Sequence, residues 1–265
     1  MMYLCKMDAN LGGGKSRPHL LYVNVLSVFS CFYLLGGSPK VGKSWLALQL
    51  SLAVCGGKPF LGRRTRQTEV LYLALEDGPQ RLHARALRLT DTAPQGLYFS
   101  HTVPPIAHGL EQQLAAFLAA NPQVRLVIID TLQKVRCAAA TGQSYGGDYQ
   151  EGAALQKLAQ DGNICLLAIH HLRKMPDEEP MNRLPGTNGL TGAADGTLVL
   201  IRPDRALGGA TLIATGRDIE DMEEELEFSN CSWSRVMPLD KLHWPTGKRG
   251  AVIRTGGPLQ IHSSA

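Results

Sequence analysis

The sequence has few of the features that mark disulfide scaffolds, zinc sites or strongly polyanion-binding proteins. Its six cysteines lie far apart, no pair has C-x-x-C spacing, and no histidine lies near them at zinc-ligand spacing. Aromatic residues make up 6% of the chain, and a net charge of +4 is too small by itself to indicate a nucleic-acid partner. These features favour a reduced, cytoplasmic setting. They do not indicate a function, which has to be inferred from the motifs.

One long segment contains no charged residue. Residues 18–39 contain no Asp, Glu, Lys or Arg and include an apolar stretch from Leu20 to Leu35, which permits interpretation as a signal anchor. Asn24, Ser27 and Ser30 interrupt this stretch, which then runs directly into a glycine-rich loop. That context favours a buried strand and a protein that does not associate with membranes.

Apolar runs of strand length alternate with longer helical patterns, which is typical of βαβ units and a parallel sheet. The predicted core strands are Cys31–Leu35, Val70–Leu75, Leu126–Ile129 and Ile164–Ile169, and the predicted helices are Ser44–Cys55, Gln80–Leu89, Leu110–Ala120 and Gly152–Gln160. Short strands then follow at Thr197–Ile201, Ala210–Thr215, Leu226–Phe228 and Ser232–Met237. The sequence thus predicts an α/β fold whose mostly parallel central sheet is flanked by helices and continues into an antiparallel C-terminal extension. We expect a loosely ordered leader at 1–30, a core at 31–239 and an irregular tail at 240–265.

The strongest motif is a complete G-x-x-x-x-G-K-S loop between the first predicted strand and the first predicted helix. In such a loop the backbone N–H groups and the helix N-terminus surround phosphates. Lys43 would reach the β and γ phosphates, and Ser44 would ligate Mg²⁺. The predicted nucleotide-binding residues are Gly37, Ser38, Pro39, Lys40, Val41, Gly42, Lys43, Ser44 and Trp45.

Two carboxylates follow other predicted core strands. Asp130 ends an apolar run in the manner of a Walker B aspartate, which would help hold the magnesium, and Thr131 follows it. Glu76 ends another strand and is the predicted group that activates the attacking water. The alternative for Asp130 is a helix cap or turn residue, and for Glu76 and Asp77 it is capping of the next helix.

A histidine pair, His170 and His171, follows the fourth core strand. A polar group at this position can contact the γ-phosphate and report hydrolysis to the next loop. We predict His170 as the sensor. The alternative is that it is a histidine at the strand end whose hydrogen bonds are satisfied and which has no sensor role.

With these residues in place, the sequence resembles the RecA-like AAA-type ATPases of plasmid and mobile-element replication, typified by the plasmid replicative helicase RepA and more distantly by DnaB-type helicases. The resemblance covers roughly residues 33–235. It rests on the order and spacing of segments 34–50, 70–77, 126–132, 170–171, 189–195 and 215–218. The resemblance implies ATP as the nucleotide, whereas the loop alone does not indicate the base, because it contacts only phosphates. The resemblance also supports Glu76 as the catalytic glutamate.

The resemblance also implies a homo-oligomer, commonly a hexameric ring, in which a neighbouring subunit supplies a cation to each ATP site. Arg217 looks like that trans-acting finger, and the alternative is a solvated arginine at a strand end. RepA-type proteins have an arginine just before the Gly-Ser that precedes the last core strand. This chain has Leu184-Pro185-Gly186-Thr187 instead, so that arginine is missing unless Arg183 serves, which puts efficient ring-type hydrolysis in question.

In such rings, loops that face the centre contact single-stranded DNA. The corresponding segments here are Lys134–Tyr149, with Tyr145 and Tyr149 as stacking residues, and Leu172–Asn188, with Arg173, Lys174 and Arg183 as phosphate contacts. Ordinary solvated loops contain similar residues. The acidic run Glu220–Glu227 would repel DNA and is predicted to form an outer hairpin or a partner surface.

Three functions remain open. The first is a ring-forming, Mg-dependent ATPase and DNA helicase that acts on single-stranded DNA in plasmid or mobile-element replication. The second is a KaiC-like regulatory ATP switch that acts through protein partners. The third is a degenerate copy that binds ATP without moving along DNA. Salt-dependent binding to single strands distinguishes the first from the second, because only phosphate contacts release counterions.

Overall fold

The computed structural model of the chain describes residues 30–92, 94–136, 145–171, 187–203 and 208–236. All described elements belong to one compact unit that ends at Arg235. Its strands are β1 Cys31–Gly37, β2 Glu69–Ala74, β3 Leu97–Ser100, β4 Val124–Asp130, β5 Cys165–Ile169, β6 Gly196–Ile201, β7 Gly209–Gly216, β8 Met222–Ser229 and β9 Ser232–Arg235. Its helices are α1 Lys43–Gly56, α2 Pro79–Leu89, α3 Leu110–Ala120, α4 Tyr145–Gly162 and α5 Thr187–Ala193, with a 3-10 turn at Leu132–Lys134.

The nine strands form one sheet in the order β3-β2-β4-β5-β1-β6-β7-β8-β9. The six strands from β3 to β6 pair in parallel, and β7, β8 and β9 continue the sheet in antiparallel fashion. The predicted α/β class, with a mostly parallel sheet and an antiparallel extension, is therefore confirmed.

Helices cover both faces of the parallel part of the sheet. Alternate residues of β1 enter opposite cores, with Tyr33 and Leu35 in the core formed with α1 and α2, and Phe32 and Leu34 in the core formed with α3, α4 and α5. All seven residues of β1 are buried, as expected for a parallel strand covered on both faces. This double coverage holds the loop after β1 in place. None of the described helices is long and apolar enough to cross a bilayer.

Some elements differ from the sequence-based expectations. Helix α3 has the predicted bounds, whereas α4 begins at Tyr145 and not at Gly152. Strand β3 and helix α5 were not predicted, because β3 is a half-exposed edge strand of only four residues and α5 has seven residues rich in glycine and threonine. All but the last residue of the predicted leader at 1–30, and the predicted core boundary at 239/240, lie outside the described residues.

The acidic run forms most of β8, which is longer than the predicted Leu226–Phe228. Burial alternates along the strand, because successive side chains point to opposite faces of a sheet. Glu224 is therefore buried while Glu223 and Glu225 are exposed. The predicted outer hairpin corresponds to β8 and β9. The predicted strand at Ser232–Met237 ends at Arg235, and Met237 lies outside the described residues.

Candidate active site

The loop after β1 has a backbone suited to surrounding an anion. Lys40 has a φ of 63° and Gly42 a φ of 112°, which are left-handed conformations that turn the chain sharply before α1. Helix α1 begins at Lys43 with no side-chain cap on its N-terminal N–H groups. Uncapped N–H groups and the helix dipole both favour a negatively charged ligand at this end of the helix.

Lys43 lies within this loop and is almost completely buried. Its ammonium group donates to the carbonyl oxygens of Gly37, at 2.7 Å, and Ser38, at 3.0 Å. Burial lowers the pKa of Lys43 to about 8, against the opposing attraction of Asp130 and Glu76. The ammonium group is thus held against the loop backbone, where its donors can bind phosphate oxygens.

Asp130 ends β4, two strands from β1 in the sheet. Its Oδ2 accepts a hydrogen bond of 2.7 Å from the hydroxyl of Tyr72. Burial raises the pKa of Asp130, and hydrogen bonds from Tyr72 and Ser44 oppose this rise. Burial and the nearby Asp130 carboxylate also raise the pKa of Tyr72 well above its ordinary value, so its hydroxyl stays protonated and acts as a donor.

The donor set fits a magnesium ion bound through few protein ligands. The Oδ1 atom of Asp130 is buried and has no hydrogen-bond partner among the described residues. A buried carboxylate oxygen without a donor is costly unless a cation or water faces it. The Ser44 hydroxyl lies beside the same carboxylate. One carboxylate and one hydroxyl, completed by waters and phosphates, is a usual Mg²⁺ environment.

Glu76 lies in the bend that follows β2, and its side chain is 42% exposed, so water can approach it. Its Oε1 accepts a hydrogen bond of 2.8 Å from the Thr131 hydroxyl, directly after Asp130. The backbone N–H of Leu75 donates to the carbonyl of Asp130 at 2.7 Å. The ends of β2 and β4 are therefore joined, and both predicted carboxylates lie at one edge of the sheet.

Of the two histidines after β5, His171 and not His170 lies between the predicted catalytic groups. Its Nδ1 is 3.2 Å from Nζ of Lys43, and its Nε2 is 3.7 Å from Oε1 of Glu76. Because the ammonium of Lys43 can only donate, Nδ1 accepts and the hydrogen of the neutral ring is on Nε2, towards Glu76. His170 is only 3% exposed, since consecutive residues of an extended chain point in opposite directions. The structure thus brings His171 next to Lys43 and Glu76, whereas the sensor role that we predicted for His170 stays a prediction.

The antiparallel extension supports the loop through Trp233, which belongs to none of the sequence motifs. The indole Nε1 donates to the carbonyl of Gly42 at 3.1 Å, and a Cβ at Gly42 would lie 2.7 Å from the ring. The side-chain amide of Gln49, on α1, makes two hydrogen bonds of 2.8 Å with the backbone of Trp233. Strand β9 is therefore fixed to the loop and its helix. Trp45 packs near Phe228, and the guanidinium of Arg85 lies over the Trp45 ring.

Arg217 lies at the opposite edge of the sheet from the other predicted site residues. It follows β7, which runs antiparallel to β6. Through the pairing with Gly196 of β6, Gly216 at the end of β7 lies beside Tyr33 of β1 and not beside Gly37 at the end of β1. That difference of four residues corresponds to roughly 13 Å along the strands. Arg217 is 57% exposed, donates to the carbonyl of Gly192 at 2.8 Å and lies 3.6 Å from Asp195. It cannot reach the loop of its own chain.

The segments predicted to contact DNA are described only in part. Arg173, Lys174 and Arg183 lie outside the described residues, as do most residues of their loop. Tyr149 is described and is 48% exposed. Arg136, which follows the 3-10 turn, forms ion pairs with Asp148 and Glu151, and the distance to Glu151 is 2.6 Å. These pairs connect the first turns of α4 to the segment after the 3-10 turn.

Sequence motifs missed several residues that contact the site, and only some left a signal. A tyrosine in an otherwise aliphatic buried strand, such as Tyr72 in β2, needs a hydrogen-bond partner for its hydroxyl. That requirement points to a polar group on a neighbouring strand, here Asp130. Trp233 left no such signal, because its contact with Gly42 depends on how β9 packs on α1.

Comparisons with known proteins assign the chain to a family and show which folds it resembles. The profile of the family described as AAA domain matches residues 28–177, more than half of the chain. No curated protein matches the chain in sequence. Among solved structures, one that is titled as an ATPase domain is similar with a TM-score of 0.63 and 18% identity, over 78% of this chain and 85% of that one.

A DnaB-like replicative helicase, whose structure is titled together with its interactions with primase, is similar with a TM-score of 0.66 and 18% identity. That match covers 83% of this chain and 63% of the helicase, so the chain spans less than two thirds of that protein's length. At this identity the likeness concerns the fold, which is that of RecA-like helicase ATPase domains. The chain belongs to the AAA domain family.

Proposed function

We propose that this protein is a magnesium-dependent ATPase of the replicative-helicase type. The observation that carries this proposal is the meeting of Lys43, Asp130 and Glu76 at one edge of the sheet, with His171 between Lys43 and Glu76. Each group has the chemistry that phosphoryl transfer to water needs: a cation for the phosphates, a carboxylate for the metal and a base for the water.

The chain's own residues divide the work. The N–H groups at the start of α1 and the ammonium of Lys43 hold the phosphates, and Lys43 exchanges its bonds to Gly37 and Ser38 for bonds to phosphate oxygens. Ser44 and Asp130 would hold Mg²⁺, which would neutralise phosphate charge. Glu76 orients the attacking water and accepts its proton, while Thr131 fixes the carboxylate.

His171 reports the state of the nucleotide. In the structure its Nδ1 accepts from the ammonium of Lys43 and its Nε2 faces Glu76. When Lys43 binds a γ-phosphate instead, the hydrogen bond from Lys43 to Nδ1 is lost. The Nε2–H of the ring is then the donor that can turn to the phosphate. Loss of the phosphate on hydrolysis reverses this exchange, and the change passes to the segment that directly follows His171.

Arg217 acts in a ring of like subunits, commonly a hexamer. Its distance from its own loop, its 57% exposure and its position at the opposite edge of the sheet suit a cation that completes a neighbour's site. In this proposal the ring encircles single-stranded DNA during plasmid or mobile-element replication in the cytoplasm. The fold likeness to replicative-helicase ATPase domains supports it.

A second candidate is a regulatory ATP switch that binds ATP and acts through protein partners, and a degenerate copy without DNA translocation would behave similarly. The exposed glutamates of β8, among them Glu223, favour a protein contact over DNA at that surface. The missing arginine in the segment Leu184–Thr187 also favours slow turnover.

Steady-state ATP hydrolysis with and without single-stranded DNA separates these candidates. A helicase-type motor predicts turnover that DNA stimulates, and DNA binding that weakens steeply as salt rises because phosphate contacts release counterions. Glu76→Gln should bind DNA and ATP but lose the stimulated turnover, with Glu223→Gln as a carboxylate control outside the site. ATP hydrolysis with no response to DNA and no salt-dependent DNA binding would contradict the motor and favour the switch.

A further inference from the structure

The bend that contains Glu76 is held by a residue that no motif includes. His101 directly follows the edge strand β3, next to β2 in the sheet. Its Nδ1 lies 3.2 Å from the carbonyl oxygen of Ala74 and 3.0 Å from that of Asp77. These carbonyls are two residues before and one residue after Glu76. Because both oxygens can only accept, Nδ1 bears a hydrogen and donates to them.

The two contacts span the short stretch of chain that sets the direction of the Glu76 side chain. No helix or strand supports this stretch, because β2 ends at Ala74 and α2 begins at Pro79. Further contacts act on its ends: the N–H of Leu75 donates to Asp130, and Arg85 pairs with the carboxylate of Asp77. His101 joins the chain on both sides of Glu76 to the end of the neighbouring strand β3.

We propose that His101 is a positioning residue for Glu76, which it holds through the backbone on either side. This inference rests on the proposed role of Glu76 as the base that activates water. A base must lie within hydrogen-bond reach of the water it orients, and a displacement of about 1 Å can lower turnover by about 100-fold. His101 has no role in phosphate binding, since its contacts are with the bend and not with the loop after β1.

Substitutions at His101 separate positioning from general stability. His101→Ala should lower kcat by about 10- to 100-fold and leave the Kd for MgATP unchanged. His101→Asn places an amide N–H near the position of Nδ1 and should restore kcat to within about 3-fold of the wild type. His83→Ala is the matched control, because His83 is an exposed histidine that lines the same surface groove as His101.

A double substitution tests whether His101 acts through Glu76. In a Glu76→Gln background, His101→Ala should cause no further loss of the residual turnover, because the group that it positions is already absent. An additional loss of the same size as in the wild-type background would overturn the proposal. The proposal would also be overturned if His101→Ala weakened MgATP binding as much as it lowered kcat, or if His101→Asn did not restore kcat.

Hydrogen exchange gives a readout that does not depend on turnover. Amides of residues 75–78 should exchange at least several-fold faster in His101→Ala than in the wild type, with no change in the loop after β1. Unchanged exchange at 75–78 overturns the positioning role even if the protein does not hydrolyse ATP. A wild-type protein without turnover but with faster exchange in His101→Ala would contradict the proposed ATPase function alone.

Discussion

The parallel and antiparallel parts of the sheet contribute to the site in different ways. In the parallel part, strands end at the same edge, so residues far apart in sequence, such as Lys43, Glu76 and Asp130, lie together. In the antiparallel part, β7 ends at the other edge and takes Arg217 away from the loop. The direction of a strand decides which edge its last residue occupies, and therefore whether that residue can act within its own chain.

The two parts are also stabilised differently. Helices cover both faces of the central parallel strands, whereas β8 buries one face, with Leu226 in the core that includes α1 residues, and exposes the glutamates of the other. On the buried face Glu224 pairs with Arg63, and Arg235 lies 3.4 Å from the same oxygen. Trp233 then links this part to the loop at Gly42. The antiparallel part thus supports the site without supplying groups to it.

Loss of the loop lysine should have the largest effect. Lys43→Ala removes the ammonium that is held against the loop carbonyls, so nucleotide binding and turnover should fall to background. Thermal unfolding of the nucleotide-free protein should stay the same or shift upwards, because burial of a charged lysine opposes folding. Lys157→Ala, at an exposed lysine outside the loop, should retain binding, and equal losses in both variants would argue against a specific phosphate contact.

Arg217→Ala tests whether the antiparallel part acts only on a neighbour. It should lower kcat by about 10³-fold while ATP binding is retained, because an arginine finger acts on the transition state. Mixing Arg217→Ala with Lys43→Ala should restore turnover, since some sites then combine an intact loop with an intact arginine from the next subunit. A mixture that is no more active than its components would refute the trans role.

Glu224→Ala should destabilise the antiparallel part more than any exposed glutamate does. It removes the carboxylate from a buried ion pair with Arg63, and loss of one partner of such a pair costs about 3–5 kcal/mol of unfolding free energy. Glu223→Ala, on the exposed face of the same strand, should change the free energy of unfolding by less than about 0.5 kcal/mol. Chemical denaturation measures both values, and similar effects at the two positions would contradict the assigned burial.

Trp233→Phe should have the smallest effect of the series. The substitution removes the N–H that donates to Gly42, while that carbonyl still accepts from the N–H of Leu46. We expect a loss of about 1–2 kcal/mol in stability and at most a few-fold weaker MgATP binding. Thermal unfolding and titration with MgATP measure both, and a loss of binding as large as in Lys43→Ala would show that β9 contributes directly to the site.

The sequence predicted most of the parallel part because its strands are continuous apolar runs that end in chemically distinctive residues. It missed β3, whose four residues are half-exposed at the sheet edge and have no apolar periodicity. It placed β8 too narrowly, because a buried Glu224 in an acidic run gives no apolar signal. Its buried partner, Arg63, is 161 residues away in the chain.

Contacts within the site were harder to predict than its motifs. The order of motifs predicted Lys43 and Asp130 as site residues and favoured His170 of the two consecutive histidines. His171 is the one that lies next to Lys43, because the side that each histidine faces depends on where β5 ends. Tyr72 and His101 reach the site through pairing of β2 with its neighbours β4 and β3. Register between strands is a property of the fold, and one sequence without its pairing partners does not specify it.

The most direct test of the central claim is ATP turnover by the wild type and by Glu76→Gln, with the Kd for MgATP measured for both. We predict that the wild type hydrolyses ATP only with magnesium, and that Glu76→Gln binds MgATP with similar affinity but turns it over at least about 100-fold more slowly. Equal turnover by the two proteins, or MgATP binding by a wild type that does not hydrolyse it, would contradict the assignment of this edge of the sheet as an ATPase site.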